Sequence, residues 1–318
     1  MGAELLIQNG NMVYFPPVLE DICWETERYG SPGKLTFKCM NDSALDIKTG
    51  NPVRFKWNGN NVFYGFIFKI SKEKENVLSV TAYDQLRYFK NKDTYVINGK
   101  TAADVLKLIA SDFNLQTGNV ENTGYTIGSL VEDGKTLFDI MQDCLDQTLL
   151  NSGEMYVLYD DFGSLALKNI ANMIVTTLID SSTAENYSYE ASIDEQTYNK
   201  IKLVYDNKKT GKRDVYIAQD SENINEWGLL QYYDKLSEGE NGKEKAEALL
   251  SLYDKQTESF KVTNALGDVN VRAGCMIPVI LNLDLKEIKS LMLVESCKHT
   301  FKENEDFMNL TFRGGDIG

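Results

Sequence analysis

Residues 49–84 constrain the fold more than any other stretch of the chain. Val53, Phe55 and Trp57 alternate with Arg54 and Lys56, the period-two pattern of a strand with one buried face. Asn58-Gly59 follows, then Val62-Phe-Tyr-Gly-Phe-Ile-Phe-Lys-Ile70. An Asn-Gly pair between two such runs is the strongest short-range hairpin signal. A third run, Val77-Leu-Ser-Val-Thr-Ala-Tyr-Asp84, comes after a charged spacer. The same order returns near the C-terminus: Ile277-Pro-Val-Ile-Leu281, a polar turn, Leu291-Met-Leu-Val-Glu295, a charged spacer and Met308-Asn-Leu-Thr-Phe312. Pro52-Val53 matches Pro278-Val279, and Ser79-Val80-Thr81 matches Asn309-Leu310-Thr311. The pattern predicts one β-module carried twice.

A chain of 318 residues exceeds the size at which a single core stops growing, so two or three domains are expected. Its 17 Tyr and 14 Phe favour strands. Binding nucleic acid needs a basic face that displaces counterions, and docking on an anionic membrane needs one too. A formal charge of -14 argues against both, and around a pore it repels DNA rather than capturing it. Cys23, Cys39, Cys144, Cys275 and Cys297 form no Cys-x-x-Cys pair, and His299 is the one histidine. No metal site, cofactor or disulfide scaffold is therefore expected, and reduced thiols in a cytoplasmic assembly compartment fit. The N-terminus lacks a basic region followed by a long apolar run. No apolar run approaches the roughly 20 residues that span a bilayer, so a soluble, non-exported protein is expected.

Residues 1–92 read almost entirely as strands, about six or seven, a density typical of a small sandwich or barrel. Residues 93–180 change period. Ala102, Val105, Leu106, Ile109 and Phe113 share one helical face, and Leu137, Ile140, Met141, Cys144, Leu145 and Leu149 share another. Each helix opens with Gly-Lys-Thr-x-x-Asp, at Gly99 and Gly134, a variant of the capping box. A hairpin turning at 160–163 completes a compact α+β domain. Residues 181–318 carry strands at 200–205 and 213–217, a turn at 207–211, a helix at about 242–255 and the C-terminal echo. The fold class is mainly β, α+β overall, with a small α+β domain at 93–180 between β-modules at 1–92 and 181–318.

Gly-Lys-Thr invites a phosphate-loop reading, but that loop needs a glycine where Thr94 and Ser129 stand. Asp161-Phe162-Gly163 matches a kinase triplet without its glycine-rich or catalytic loop, and reads as a hairpin turn. His299 has no Gly-x-Ser-x-Gly elbow to serve and reads as a packing or hydrogen-bonding residue. Among 47 carboxylates a glycosidase pair is not excluded by counting. None stands in an apolar setting that would raise its pKa save Asp194 or Asp206 beside the strand at 200, and solvated surface charge is the better reading. Trp227-Gly-Leu-Leu-Gln-Tyr-Tyr233 is compatible with a sugar platform, a protein interface or strand packing. Trp227, Tyr232 and Tyr233 are carried forward as candidate oligomer or partner contacts, and no catalytic residue is assigned. Read from its residues alone, the chain is a non-enzymatic β-rich protein.

Several stretches resemble a known family. They are Leu78-Ser-Val-Thr-Ala-Tyr-Asp-Gln-Leu-Arg-Tyr-Phe89, Gly153 to Lys168 with Tyr156-Val-Leu-Tyr-Asp-Asp-Phe-Gly163 inside it, Ser192-Ile-Asp194 with Tyr198-Asn-Lys-Ile-Lys-Leu203, the Trp227 run, and Gly267-Asp268 followed by Val271-Arg-Ala-Gly274. Together they resemble the XkdQ/YqbQ family of the PBSX-type prophage, over nearly the whole chain. The resemblance implies a baseplate hub of a contractile phage tail or a phage-tail-like bacteriocin. Such hubs look like homotrimers in which each chain supplies two tail-tube-like β-barrels. They adapt a six-fold tail tube above to a three-fold spike below, among other baseplate proteins, with DNA passing the lumen without specific binding. Such a protein is assembled in the bacterial cytoplasm and ends in the virion or tail-like particle, with no membrane contact. The alternatives from other classes are a tail-associated cell-wall hydrolase and a carbohydrate-binding tail module.

Overall fold

A computed structural model describes residues 2–314 except 43, 195, 208–209, 237–239 and 284–285. The chain opens with seven strands: Ala3–Asn9 (β1), Met12–Tyr14 (β2), Ile22–Glu27 (β3), Lys34–Met40 (β4), Pro52–Trp57 (β5), Asn60–Lys72 (β6) and Val77–Tyr83 (β7). Then come Lys92–Lys100 (β8), helix Ala102–Asp112 (α1), Thr117–Val120 (β9), Ile127–Thr136 (β10), helix Leu137–Ser152 (α2), Tyr156–Asp160 (β11) and Leu165–Asn169 (β12). Strands Ile179–Asp180 (β13) and Asn186–Ser192 (β14) precede Lys200–Asn207 (β15), Lys212–Gln219 (β16), helix Ser221–Trp227 (α3), Gln231–Lys235 (β17) and helix Gly242–Tyr253 (α4). Thr257–Leu266 (β18), Met276–Leu283 (β19), Lys286–Lys302 (β20) and Glu305–Gly314 (β21) complete the chain. The fold is mainly β. Lys208 and Lys209 of the turn expected at 207–211 lie outside the described residues.

The expected duplication is present in the strand ladders. The main sheet runs β14-β18-β21-β20-β3-β4-β7-β6-β5-β1-β2, with β19 on the first half of β20 and β13 beyond it. Its two halves match strand for strand: β3-β4-β7-β6-β5 and β14-β18-β21-β20-β19, antiparallel throughout. Each half carries a bulge at the same place. Register slips past Phe68 on β6, opposite Ala82 and Thr81, and past Glu295 on β20, opposite Phe312 and Thr311. The turn into the third strand of each module repeats too. Gly50 and Gly274 sit at φ 87° and 92°, a region open to glycine, and their amides bond to the carbonyls of Ile67 and Val294.

This correspondence pairs Ser79-Val80-Thr81 with Asn309-Leu310-Thr311, as the sequence indicated, but corrects the other match. Pro52 faces Phe66, and the residue facing the equivalent Leu293 is Met276. Pro278 is therefore two places along from the counterpart of Pro52. A slip of two keeps every side chain on its own face, so the apolar pattern matched in spite of it. Outside these five strands the halves diverge. β1 runs antiparallel to β5, while β13 runs parallel to β19. The short link from β3 to β4 has as its counterpart the whole of 193–256, holding α3, α4 and the sheet β16-β15-β17. Among the described residues no ladder closes either half into a barrel; the sheet is an open path.

Each region has its own core. Leu35, Phe55, Trp57 and Val80 pack in the first half, joined there by Phe301 from β20. Phe260, Ile277, Val294, Leu310 and Phe312 fill the second. Between them α1 and α2 bury Leu106, Ile109, Leu137 and Ile140 with Ile97 of β8 and Leu165 and Leu167 of β12. The ribbon β8-β10 is an element sequence reading passed over, although Tyr95 and Ile97 are buried and Val96 is 68% exposed. In the 193–256 segment Ile201 and Leu203 pack on Ala246 and Leu249 of α4.

Both helices of the middle region begin as expected. Thr101 and Thr136 accept from the amides of Asp104 and Asp139, whose carboxylates accept from the two threonine amides in return. Replacing either threonine with alanine removes the side-chain acceptor of the Asp104 or Asp139 amide and costs about 0.5–2 kcal/mol. Urea denaturation monitored by circular dichroism should show that loss for T101A and T136A separately, and roughly the sum for the double variant.

Candidate functional site

Three of the stretches that carry the family resemblance, around Asp84, Asp160 and Arg272, converge at the joint between the two halves. Here β3 lies against the second half of β20, from Ile22 opposite Phe301 to Glu27 opposite Ser296. Beside the bulge, the Arg28 amide donates to the Glu295 carbonyl at 2.9 Å and its guanidinium to the Glu295 carboxylate at 2.7 Å. His299 is fully buried in this joint, stacked between Trp24 at 5.1 Å and Phe301 at 5.5 Å. Its Nε2 donates to the Val271 carbonyl at 2.8 Å, and its Nδ1 lies 3.0 Å from both oxygens of Asp306. Two acceptors facing two ring nitrogens call for the doubly protonated imidazolium. Burial opposes that charge, but Cys297 and the Asp306 carboxylate outweigh it and hold the pKa of His299 well above the usual value. The Gly267 amide donates to the Asp306 carbonyl, and a Cβ at Gly267 would strike the Asp306 carboxyl.

A second polar cluster pins the middle region to this joint. Asp84, after β7, accepts from the amides of Gly33 and Leu86 at 2.8 and 3.0 Å. Asp160, at the end of β11, accepts from the Gly163 amide at 2.6 Å and from Gln85 Nε2 at 3.3 Å. Gln85 Oε1 in turn accepts from the Gln116 amide at 2.8 Å. Arg272 donates to the Asp160 carbonyl at 2.9 Å, with its guanidinium 4.2 Å above the ring of Tyr159 and 5.8 Å from that of Trp24. Three sequence-distant motifs thus share one buried network. Burial, then the charge of Asp160, pushes the Asp84 carboxyl well up, and burial raises Asp160 to about 6. A raised carboxyl pair is what a glycosidase needs. Here all four oxygens are already bonded within the chain, so the pair is occupied in holding the junction.

The remaining sequence candidates lie elsewhere. Asp206 is a surface charge, as the better reading held: an exposed fork from Arg213, at 2.6 and 3.0 Å, lowers its pKa. Asp194 is exposed. Trp227, Tyr232 and Tyr233 are not one continuous strand, because Trp227 ends α3 and β17 begins at Gln231. Asn199 bridges the break, donating to the Gly228 carbonyl and accepting from the Leu230 amide. Tyr232 points inward to Tyr198 and Tyr253, at 5.4 and 5.8 Å between ring centres. Tyr233, on the opposite face, is 50% exposed, as are Ile217 and Val215 at 54% and 48% on the same face two strands away, across β15. A cleft of about 550 Å³ between α2, β19 and the end of α4 sets Arg28, Arg313 and Lys255 against Asp146 and Glu154. Its described lining holds no serine, cysteine or histidine. All five cysteines are free, and among the described residues no helix is long and apolar enough to cross a membrane. Sequence reading passed over Asp84, Asp160, Arg272 and Asp306. Asp84, Asp160 and Arg272 stand inside three of the stretches quoted for the family resemblance, but no local pattern marks them as buried, and Asp306 lies outside those stretches.

A family model described as YQBQ-like matches residues 22–313. The chain is 31% identical over 303 residues to the uncharacterized protein YqbQ of Bacillus subtilis (strain 168), covering 92% of this chain and 91% of that protein. Among solved structures it is similar to the 43 kDa tail protein of prophage MuSo2 from Shewanella oneidensis, with a TM-score of 0.71 at 14% identity over 97% of this chain and 98% of that one. It is also similar to the E. coli c3393 protein, a component of the type VI secretion system with structural similarity to the T4 bacteriophage tail proteins gp27 and gp5. There the TM-score is 0.58 at 10% identity, over 99% of this chain and 78% of that one.

Two outcomes test the junction. Folded Asp160 holds its proton more tightly than unfolded Asp160. The stability it confers is therefore complete below about pH 4 and lost as the pH rises through about 6. Asp160→Asn should remove about 3 kcal/mol of the change in unfolding free energy between pH 4 and pH 7, measured by urea titration at each pH. Asp306→Ala leaves a buried imidazolium unpaired, a loss of about 3–5 kcal/mol, visible in the same titration at pH 6.

Proposed function

The chain belongs to the YQBQ-like family, and from that premise we propose that it is a structural baseplate hub protein of a contractile tail or tail-like particle. In this reading it is a homotrimer that adapts a six-fold tail tube above to a three-fold central spike below. One observation carries it: a single chain holds the same five-strand ladder twice, down to the bulge and the glycine turn. Three such chains around an axis present six like modules on one side and a three-fold repeat on the other. The open sheet supports this as well, because unpaired edges are a liability in a lone molecule and joints in an assembly.

The two modules, at 1–92 and 181–318, act as tail-tube-like barrels whose curvature is completed by neighbours, and the α+β domain at 93–180 braces them from outside. Tail proteins from prophage MuSo2 and a type VI secretion component share the fold, which supports a setting in the virion tail. The charge of -14 suits a lumen through which DNA slides without sticking. The exposed face bearing Tyr233, with Trp227 and Tyr232 behind it, is assigned to contacts with other baseplate proteins. No catalysis belongs to this role.

Sedimentation equilibrium of the purified chain, alone and mixed with the tube and spike proteins of its particle, tests the proposal. The expected mass is that of three chains. A protein that stays at 35.9 kDa in every mixture and binds neither neighbour would overturn it.

A further inference from the structure

The internal repeat specifies a joint that one chain leaves unmade. Within the chain β3 adds to the second half of β20. By the ladder correspondence β20 is the counterpart of β6, and β3 of β14. Yet β14 pairs only with β18, and residues 69–72 of β6 pair only with β7, among the described residues. Both edges therefore keep a row of backbone donors and acceptors without strand partners.

We infer that β14 of one copy adds, antiparallel, to the β6 edge of a second copy, in the register of the internal joint. Trp24 faces His299 inside the chain. Trp24 corresponds to Tyr189, because each lies opposite the matched pair Leu35 and Phe260, and His299 corresponds to Lys72. The register that follows sets Tyr189 against Lys72, Glu190 against Ser71, Ala191 against Ile70 and Ser192 against Lys69. This contact rests on the ring reading above and names the surface through which the ring would form.

Side chains at these edges favour a second copy as the occupant. Lys69, Lys72 and Glu190 are exposed and make no ion pair among the described residues, and this register sets Glu190 diagonal to Lys69 on one face of the sheet, so opposite charges meet. Residues at the bulge also differ between the two joints. Where the internal joint holds the Arg28–Glu295 pair, the outer one would hold Ile193 and Phe68, with Phe68 36% exposed in the free chain. Exchanging the joints would bury Arg28 against Phe68 or Glu295 against Ile193, an unpaired charge in either case. The two joints are therefore mutually exclusive, and each edge selects its proper partner.

Cysteine pairs read the register directly. Ser192→Cys combined with Lys69→Cys places two thiols opposite each other across the proposed joint. Ala191→Cys combined with Lys69→Cys places them on opposite faces of the sheet. After mild oxidation, non-reducing gels should show inter-chain bonds in the first variant and none in the second, with the native mass measured in parallel. Bonded closed trimers, or a bonded ladder of other sizes, support the joint; the ladder would overturn three-copy closure alone. Trimers without the bond overturn the joint and leave the ring reading standing. An unbonded monomer at every concentration overturns both.

Discussion

Six facing residue pairs between β3 and β20 make one sheet out of two modules, and the rest of the architecture depends on them. The 17 residues of β20 serve β19 with their first half, β3 with their second and β21 along most of their length. That joint is rigid because of what it buries. His299 and Asp306, a charged pair in a dry interior, are stable only while both are present and fully hydrogen-bonded. Trp24 and Phe301 hold the imidazole between their rings. Arg272 then ties the same place to Asp160 and Tyr159 of the middle region. A shift of β3 by one residue would turn Trp24 away from His299 and strand the charge.

The repeat explains how the two halves came to differ where they do. What is retained is backbone geometry: strand order, bulge and glycine turn, the features that set how a sheet twists and bends. What has diverged is the decoration. The first half closes its β3–β4 connection in a few residues, while the second puts a sheet and two helices there. Bulge residues changed from Phe68 to Glu295, one apolar and the other paired with Arg28. Geometry held constant and edge chemistry varied is the combination that lets like modules meet at unlike joints.

Much of this was legible in the sequence for a physical reason. Period-two alternation at 53–57, the apolar run at 277–281 and Asn-Gly at 58–59 act locally, and both capping boxes complete themselves within four residues. His299 was correctly read as a packing and hydrogen-bonding residue. The ribbon β8-β10 escaped notice because a two-stranded element alternates over few residues and buries one face only. Long-range polar contacts were illegible for a different reason. Asp84, Asp160 and Arg272 are far apart in the chain, and nothing local marks a carboxylate as buried. Pro52 and Pro278 looked equivalent because a two-residue slip leaves the apolar pattern intact. Asp206, beside its strand, is a surface charge whose partner Arg213 comes from the neighbouring strand across the ladder.

A cryo-electron microscopy reconstruction of the assembled chain bears most directly on the central claim, that the repeat is a device for meeting two symmetries. The account predicts six copies of the five-strand module around a three-fold axis, with internal and intermolecular joints alternating around one continuous ring. Modules of one chain lying off any common circle, or copies joined without strand pairing, would contradict it.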